Sequence, residues 1–139
     1  MASEILPGLW IGTYRDSYAW KGFAICVLEE RFSELPKTVA HVPILDPDGF
    51  DGGDGSSLRA VYAQLEAVND LVDAALARKD TVLVCCGQGI ERSPLAVVWY
   101  LHRRKGMTVT QAYALVRSKR PEVQERLEWL HGEGFPRWW

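Results

Sequence analysis

The chain has 139 residues, of which 47% are hydrophobic and 24% are charged, and its formal net charge is −2. The length predicts a single domain over residues 1–139, and the composition excludes a disordered or fibrous chain. The small negative charge argues against a nucleic-acid or membrane partner, so any anion site must be local. Without a long apolar run, and with no targeting motif at Met1, the sequence predicts a cytoplasmic protein.

Four apolar segments predict the strands of one sheet. They are residues 9–11 after a Pro7-Gly8 turn, the continuous run 23–28, the β-branched run 39–45, and the clearest one, 81–85. Residues 46–56 hold four Asp and four Gly, and this composition predicts a loop after the third strand.

The helical segments alternate with these strands. Residues 57–79 carry apolar side chains at helical spacing, with Glu66, Asp70 and Asp73 left for water. Ser93-Pro94 opens a helix over 95–104 that is apolar around most of its circumference, and Gly106 follows it. Helices over 108–119 and 122–131 are separated by Pro121. The sequence therefore predicts an α/β fold, with a four- to five-stranded, mostly parallel sheet flanked by helices.

The segment after strand 81–85 reads Cys-Gly-Gln-Gly-Ile-Glu-Arg-Ser, from Cys86 to Ser93. A loop at the carboxyl end of a strand, followed by a helix N-terminus, favours an anion. Gly87 and Gly89 allow the backbone amides to point inward, and Arg92 can bind two phosphate oxygens side by side. The same positive field favours a thiolate nucleophile at Cys86, with Ser93 within reach of its sulfur.

The expected phosphate-binding residues are six consecutive ones: Gly87, Gln88, Gly89, Ile90, Glu91 and Arg92. No metal and no cofactor is expected. The odd, partly adjacent set of three cysteines suits neither a disulfide framework nor a zinc site.

This segment resembles the Cys-x5-Arg-Ser/Thr signature of the protein tyrosine phosphatases, in particular of their small dual-specificity branch. Residues 5–12, the segment His-Val-Pro-Ile-Leu-Asp at 41–46, and residues 116–121 are similar to other parts of that branch and follow in the same order. The resemblance implies a phosphatase-like fold and a phosphorylated protein or peptide as substrate. It also implies hydrolysis of phosphotyrosine through a phosphocysteine intermediate, with phosphoserine and phosphothreonine as further candidate substrates.

The resemblance assigns one role to each of four residues. Cys86 is the nucleophile, Arg92 clamps the phosphate and the transition state, Ser93 eases Cys86 out of the phosphoenzyme, and Asp46 is the general acid and base. Asp48 and Asp51 are alternative proton donors in the same loop.

The loop after Asp46 is unusually rich in Gly and Asp, and the chain departs from that family at two other places. Cys85 stands where the family has a histidine, and the Asn-containing segment of the family is not visible at residues 122–124. Cys85 and Cys26 are interpreted as packing residues or as redox partners of Cys86. Two other functions stay open, a rhodanese-like sulfurtransferase or arsenate reductase, and a non-catalytic phosphate-binding module.

Overall fold

The computed structural model describes residues 1–28, 39–44 and 56–131 of the chain. The strands are β1 (Ser3–Leu6), β2 (Leu9–Thr13), β3 (Phe23–Cys26), β4 (Ala40–His41) and β5 (Val82–Cys86). The helices are α1 (Ser56–Ala77), α2 (Arg92–Lys105), α3 (Val109–Lys119) and α4 (Glu128–His131), and a 3-10 helix covers Tyr14–Ala19. Among these described elements, no helix is long and apolar enough to span a bilayer.

The strands form one five-stranded sheet in the order β1-β2-β5-β3-β4. The pairings of β2 with β5, β5 with β3 and β3 with β4 are parallel, and β1 alone pairs antiparallel. The predicted α/β fold with a mostly parallel sheet is therefore confirmed. In the register, Thr13 lies opposite Cys86 and Cys26 lies opposite Cys85. The ends of β2 and β3 consequently lie on either side of the end of β5.

Two strand predictions needed correction. Ser3–Leu6 forms a strand that the sequence analysis missed, because Ser3 and Glu4 are polar and the segment gains its order by pairing with β2. The predicted strand 39–45 is reduced to two residues, although the amides of Val42 and Ile44 still donate to β3 and the segment after it. Pro43 lacks an N–H group, and an edge strand tolerates it; Leu45 lies outside the described residues.

Helix α2 is the central helix of the fold, as its apolar circumference predicts. Every residue from Ser93 to Leu101 is buried. The helix begins at Arg92, slightly before the predicted start, and ends at Lys105. Gly106 follows as its cap and adopts the left-handed conformation (φ 71°) expected of a glycine there. This helix therefore runs from the predicted anion loop through the middle of the core.

The predicted helix over 122–131 is wrong for its first half, because the described helix covers only Glu128–His131. The amide of Gln124 donates instead to the carbonyl of Ile90 in the loop before α2, at 2.9 Å. This tertiary hydrogen bond removes the amide from any local helical ladder. The segment between Pro121 and α4 is thus hydrogen-bonded to the loop that precedes α2.

The acidic face of α1 is at least partly exposed to water, as predicted, and it also forms hydrogen bonds and ion pairs with α2. The indole of Trp99 and the guanidinium of Arg103 both donate to Glu66. The hydroxyl of Tyr100 donates to Asp73 at 2.8 Å, and Arg104 contacts the same carboxylate. These bonds fix the second half of α2, from Trp99 to Arg104, against α1.

The Tyr100 hydroxyl gives the first test of this packing. Tyr100 is 2% exposed, and burial together with its hydrogen bond to Asp73 raises the pKa of Tyr100 to about 12. We expect Tyr100→Phe to lower the free energy of unfolding at pH 7 by about 1 kcal/mol, the usual value of one such bond. The contribution is fully present below pH 10, where the unfolded chain keeps the proton, and is lost as pH rises towards 12.

Urea titrations of both proteins at pH 7 and at pH 11 measure this difference. The gap between wild type and Tyr100→Phe should shrink at the higher pH. Equal stability of the two proteins at pH 7 would contradict the assigned bond.

Candidate active site

The thiol of Cys86 lies at the junction of β5 and α2, where the sequence places its anion loop. The amide of Gly89 donates to Cys86 Sγ at 3.2 Å, and Ser93 Oγ lies 3.3 Å from the same sulfur. Cys86 is 4% exposed and Ser93 is fully buried. The structure therefore brings together the predicted nucleophile and the predicted serine, with the sulfur held by two polar groups.

Gly89 is required by the shape of this loop. Its φ is +69°, in the left-handed region, and a Cβ there would lie 2.7 Å from Arg120 Nη2 and 2.9 Å from the carbonyl oxygen of Gly12. At Gly87, by contrast, a Cβ would only touch Leu28 at 3.8 Å. The turn therefore requires a glycine at position 89, whereas position 87 has room for a side chain.

The guanidinium of Arg92 is oriented by two neighbours. Its Nε donates to the carbonyl of Ile44 at 3.0 Å, and its central carbon lies 5.2 Å from the centre of the Trp129 ring. Ile44 precedes the segment that contains Asp46, so Arg92 is bonded directly to the chain leading to the predicted acid. Asp46, Asp48 and Asp51 themselves lie outside the described residues.

A cleft of about 240 Å³ opens above the sulfur. Five of the six predicted phosphate-binding residues line it with Cys86, and Gly89 instead points its amide at the sulfur. Its wall also contains Leu28 and Gln124, which the sequence analysis did not propose. The lining residues are Leu28, Cys86, Gly87, Gln88, Ile90, Glu91, Arg92 and Gln124.

Glu91, the acidic residue of the loop, forms an ion pair with Arg126. The backbone amide of Arg126 donates to the hydroxyl of Tyr113 on α3, and this bond fixes the position of Arg126. The negative charge on the loop is thus compensated at the rim of the cleft.

Arg120 supports the loop from behind, and its role was missed. Its side chain is 5% exposed, and it donates to the carbonyls of Gly89 at 2.8 Å and Gln88 at 3.1 Å. Further bonds reach Ser3 Oγ and, on the far side, Glu122. The sequence offered one signal, because Arg120 stands directly before Pro121 in the segment 116–121 that is similar to the family. The burial of Arg120 could not be deduced from the sequence.

The other two thiols lie on the opposite face of the sheet from Cys86. Cys85 and Cys26 are fully buried, and they share a small core with Ala24, Val39 and Leu83, whereas Cys86 belongs to the main core. A hydrogen bond with Cys26, and then burial, raise the pKa of the Cys85 thiol. The position of Cys85 on the other face of the sheet and its raised pKa favour the packing interpretation over a redox partnership with Cys86.

Comparison with known proteins identifies the class. The family model "Dual specificity phosphatase, catalytic domain" matches residues 29–132, which include Cys86, Arg92 and Arg120. Human "Dual specificity phosphatase 28" is 27% identical over 130 residues, covering 87% of this chain and 69% of that protein. "MAP kinase phosphatase with leucine-rich repeats protein 3" of Dictyostelium discoideum is 51% identical over 129 residues, which cover 88% of this chain and 14% of that protein.

Solved structures agree with this match. A mouse putative dual specificity phosphatase superposes with a TM-score of 0.71 at 25% identity, covering 92% of this chain and 80% of that one. Human DUSP28 shares the fold with a TM-score of 0.73 at 23% identity, covering 92% and 86%. Since the family match and the cysteine loop coincide on the same residues, the chain belongs to the dual specificity phosphatase family. It is a cysteine-based protein phosphatase. The alternatives of a sulfurtransferase, an arsenate reductase and a non-catalytic phosphate-binding module are not favoured.

Arg120 gives the second test. Arg120→Met leaves the loop carbonyls of Gln88 and Gly89 without their donor, so we expect a loss of about 3 kcal/mol in the free energy of unfolding and a clear drop in turnover. Arg117→Met is the matched control, because Arg117 lies in the last turn of α3, three residues before Arg120, but is half exposed and pairs with Glu125. The control should change stability by less than about 0.5 kcal/mol. Equal effects of the two substitutions would show that Arg120 does not brace the loop.

Proposed function

We propose that the chain hydrolyses phosphotyrosine in proteins, with Cys86 as nucleophile, and that phosphoserine and phosphothreonine are further substrates of the same loop. The observation that carries the proposal is the sulfur of Cys86, which receives the Gly89 amide and lies beside Ser93 on the floor of a cleft that Arg92 also lines. Such donors stabilise a thiolate and the phosphate that approaches it. We further propose that residues 1–139 act as one catalytic domain.

In the first step, the thiolate of Cys86 attacks phosphorus and the bond to the substrate oxygen breaks. Arg92 holds two of the phosphate oxygens through its fork of N–H groups, which is why its plane must be fixed by Ile44 and Trp129. The leaving oxygen takes a proton from Asp46, the acid that the family resemblance implies. The product alcohol or phenol then departs and leaves a phosphocysteine.

In the second step, water attacks phosphorus and the S–P bond breaks. Asp46, now a carboxylate, accepts a proton from that water, and inorganic phosphate forms. Ser93 Oγ, at 3.3 Å from Cys86 Sγ, can donate a hydrogen bond to the sulfur as it regains its negative charge. The serine therefore favours departure of the thiolate and regeneration of the enzyme.

The chemistry also supports a cytoplasmic location. Cys86 works only as a free thiol, and a reducing compartment keeps it so. All three cysteines of the described residues are free. The substrate is a phosphorylated protein or peptide, and we propose no nucleic-acid or membrane partner.

Substitution of the loop residues tests the assignment of the nucleophile. We expect Cys86→Ser to lose turnover of p-nitrophenyl phosphate while still binding a phosphopeptide, because the amides and Arg92 remain. Arg92→Lys should be slowed by about 100-fold or more, since an ammonium cannot make the paired contact. Cys85→Ala, at the adjacent cysteine on the other face of the sheet, should keep most of its turnover. More than a few per cent activity in Cys86→Ser would refute the assignment.

The pH dependence tests the acid. The rate profile should be bell-shaped, with an acidic limb from formation of the thiolate and a basic limb from loss of the Asp46 proton. Asp46→Asn should flatten the basic limb, and it should slow aryl phosphates with poor leaving groups far more than those with good ones. Asp48→Asn and Asp51→Asn are the controls. If one of them loses the basic limb while Asp46→Asn keeps it, the acid lies elsewhere in the loop.

A further inference from the structure

A second cleft lies against the active-site loop, on the side of β2. It has a volume of about 360 Å³ and shares Gly87 and Gln88 with the first cleft. We call it the Arg15 cleft, and its lining residues are Thr13, Tyr14, Arg15, Gly87 and Gln88. The mechanism proposed above uses none of the three residues contributed by the β2 side.

The register of the sheet brings Arg15 close to the nucleophile. Thr13 is the strand partner of Cys86, and adjacent strands are about 4.8 Å apart. Two residues of chain reach at most about 7 Å, so the Cα atoms of Arg15 and Cys86 are separated by no more than about 12 Å. That distance corresponds to one to three residues along an extended peptide whose phosphoresidue enters the first cleft.

The guanidinium of Arg15 is held in place but stays exposed. Its Nε donates to the hydroxyl of Tyr14 at 3.3 Å, and its central carbon lies 5.7 Å from the centre of the same ring. The Tyr14 ring packs edge to face on Tyr18, with centroids 6.1 Å apart. No described residue accepts from the two terminal nitrogens of Arg15, and a guanidinium with free terminal N–H groups can bind a carboxylate or a phosphate through two parallel bonds.

Arg15 also differs from most of the other described arginines in having no carboxylate partner. Ion pairs with carboxylates engage Arg78, Arg103, Arg104, Arg117, Arg120 and Arg126. Within the described residues Arg15 has no such pair, because the neighbouring Asp16 turns back and accepts from the amide of Thr13 at 2.9 Å. An uncompensated cation beside the active cleft, in a chain of net charge −2, favours an anionic ligand.

We propose that the Arg15 cleft is a second anion subsite, which binds an acidic side chain or a second phosphate within three residues of the phosphoresidue of a peptide substrate. The proposal rests on the proposed phosphatase function and adds a sequence preference to it. Leu28, which follows β3 on the other side of β5 from β2, also lines the first cleft, and Glu91 in the same lining is paired with Arg126. The acidic preference should therefore apply to one flank of the phosphoresidue only.

A set of phosphotyrosine peptides tests the subsite. Each peptide has alanine flanks, with one Glu or one phosphoserine placed in turn at each of the three positions before and after the phosphotyrosine. We expect wild type to prefer an anion on one flank by about threefold to tenfold in kcat/KM, mainly through KM, and the preference should fall as salt is raised. If peptides with Glu and peptides with phosphoserine are both preferred, the subsite recognises negative charge in general. If only peptides with phosphoserine are preferred, the subsite recognises a second phosphate.

Arg15→Ala should remove this preference and leave turnover of p-nitrophenyl phosphate unchanged, because that substrate has no flanks. Arg15→Lys should keep part of the preference, since it retains the charge without the fork. Arg78→Ala is the matched control, because Arg78 also lies over an aromatic ring, that of Phe23, but beside the start of β5.

Two results would overturn the subsite alone. They are the absence of any flank preference in an enzyme that hydrolyses p-nitrophenyl phosphate, and a preference that persists in Arg15→Ala. Wild type that hydrolyses neither p-nitrophenyl phosphate nor any peptide would instead overturn the phosphatase function on which the subsite rests.

Discussion

The active site depends on one buried cation behind the loop. Between β5 and α2 the backbone turns so that the amide of Gly89 faces the sulfur of Cys86, while the carbonyls of Gln88 and Gly89 accept from Arg120 on the other side. A carbonyl that is turned away from water needs a donor, and Arg120 donates to the buried carbonyl of Gly89 and to the partly buried carbonyl of Gln88. The guanidinium also excludes a side chain at Gly89. The side of the loop that faces Cys86 is therefore stabilised by the hydrogen bonds that Arg120 makes on the other side.

This arrangement also explains how the loop can differ from the family at the residue before the nucleophile. A histidine there would project to the face of the sheet where Cys85 lies, opposite the face of Cys86. Cys85 instead packs with Cys26 in a small apolar core. Support for the loop comes from Arg120, from the Gln124 amide on the Ile90 carbonyl, and from the pairing of Glu91 with Arg126. These bonds all come from the chain after α3.

The sequence predicted the elements that carry strong local patterns. The buried strand 81–85, the amphipathic α1 and the Cys86 to Ser93 loop were all found, since apolar periodicity and glycine placement are local properties. The roles of Arg120, Gln124 and Arg126 were not predicted, because their contacts join segments that are far apart in the chain. The same nonlocal bonds explain the failed helix prediction: the amide of Gln124 has a better partner in the loop than in its own segment.

The parallel register of β2 with β5 also constrains how the protein folds. Thr13 and Cys86 are neighbours in the sheet, although β3, β4 and α1 lie between them in the sequence. Closing such a long segment costs entropy before any contact is gained, and parallel pairings of this kind form slowly. The helices can form early from local contacts, but Cys86 acquires its neighbours from β2 only when that pairing is complete. The catalytic pocket should therefore be among the last parts of the chain to assemble during folding.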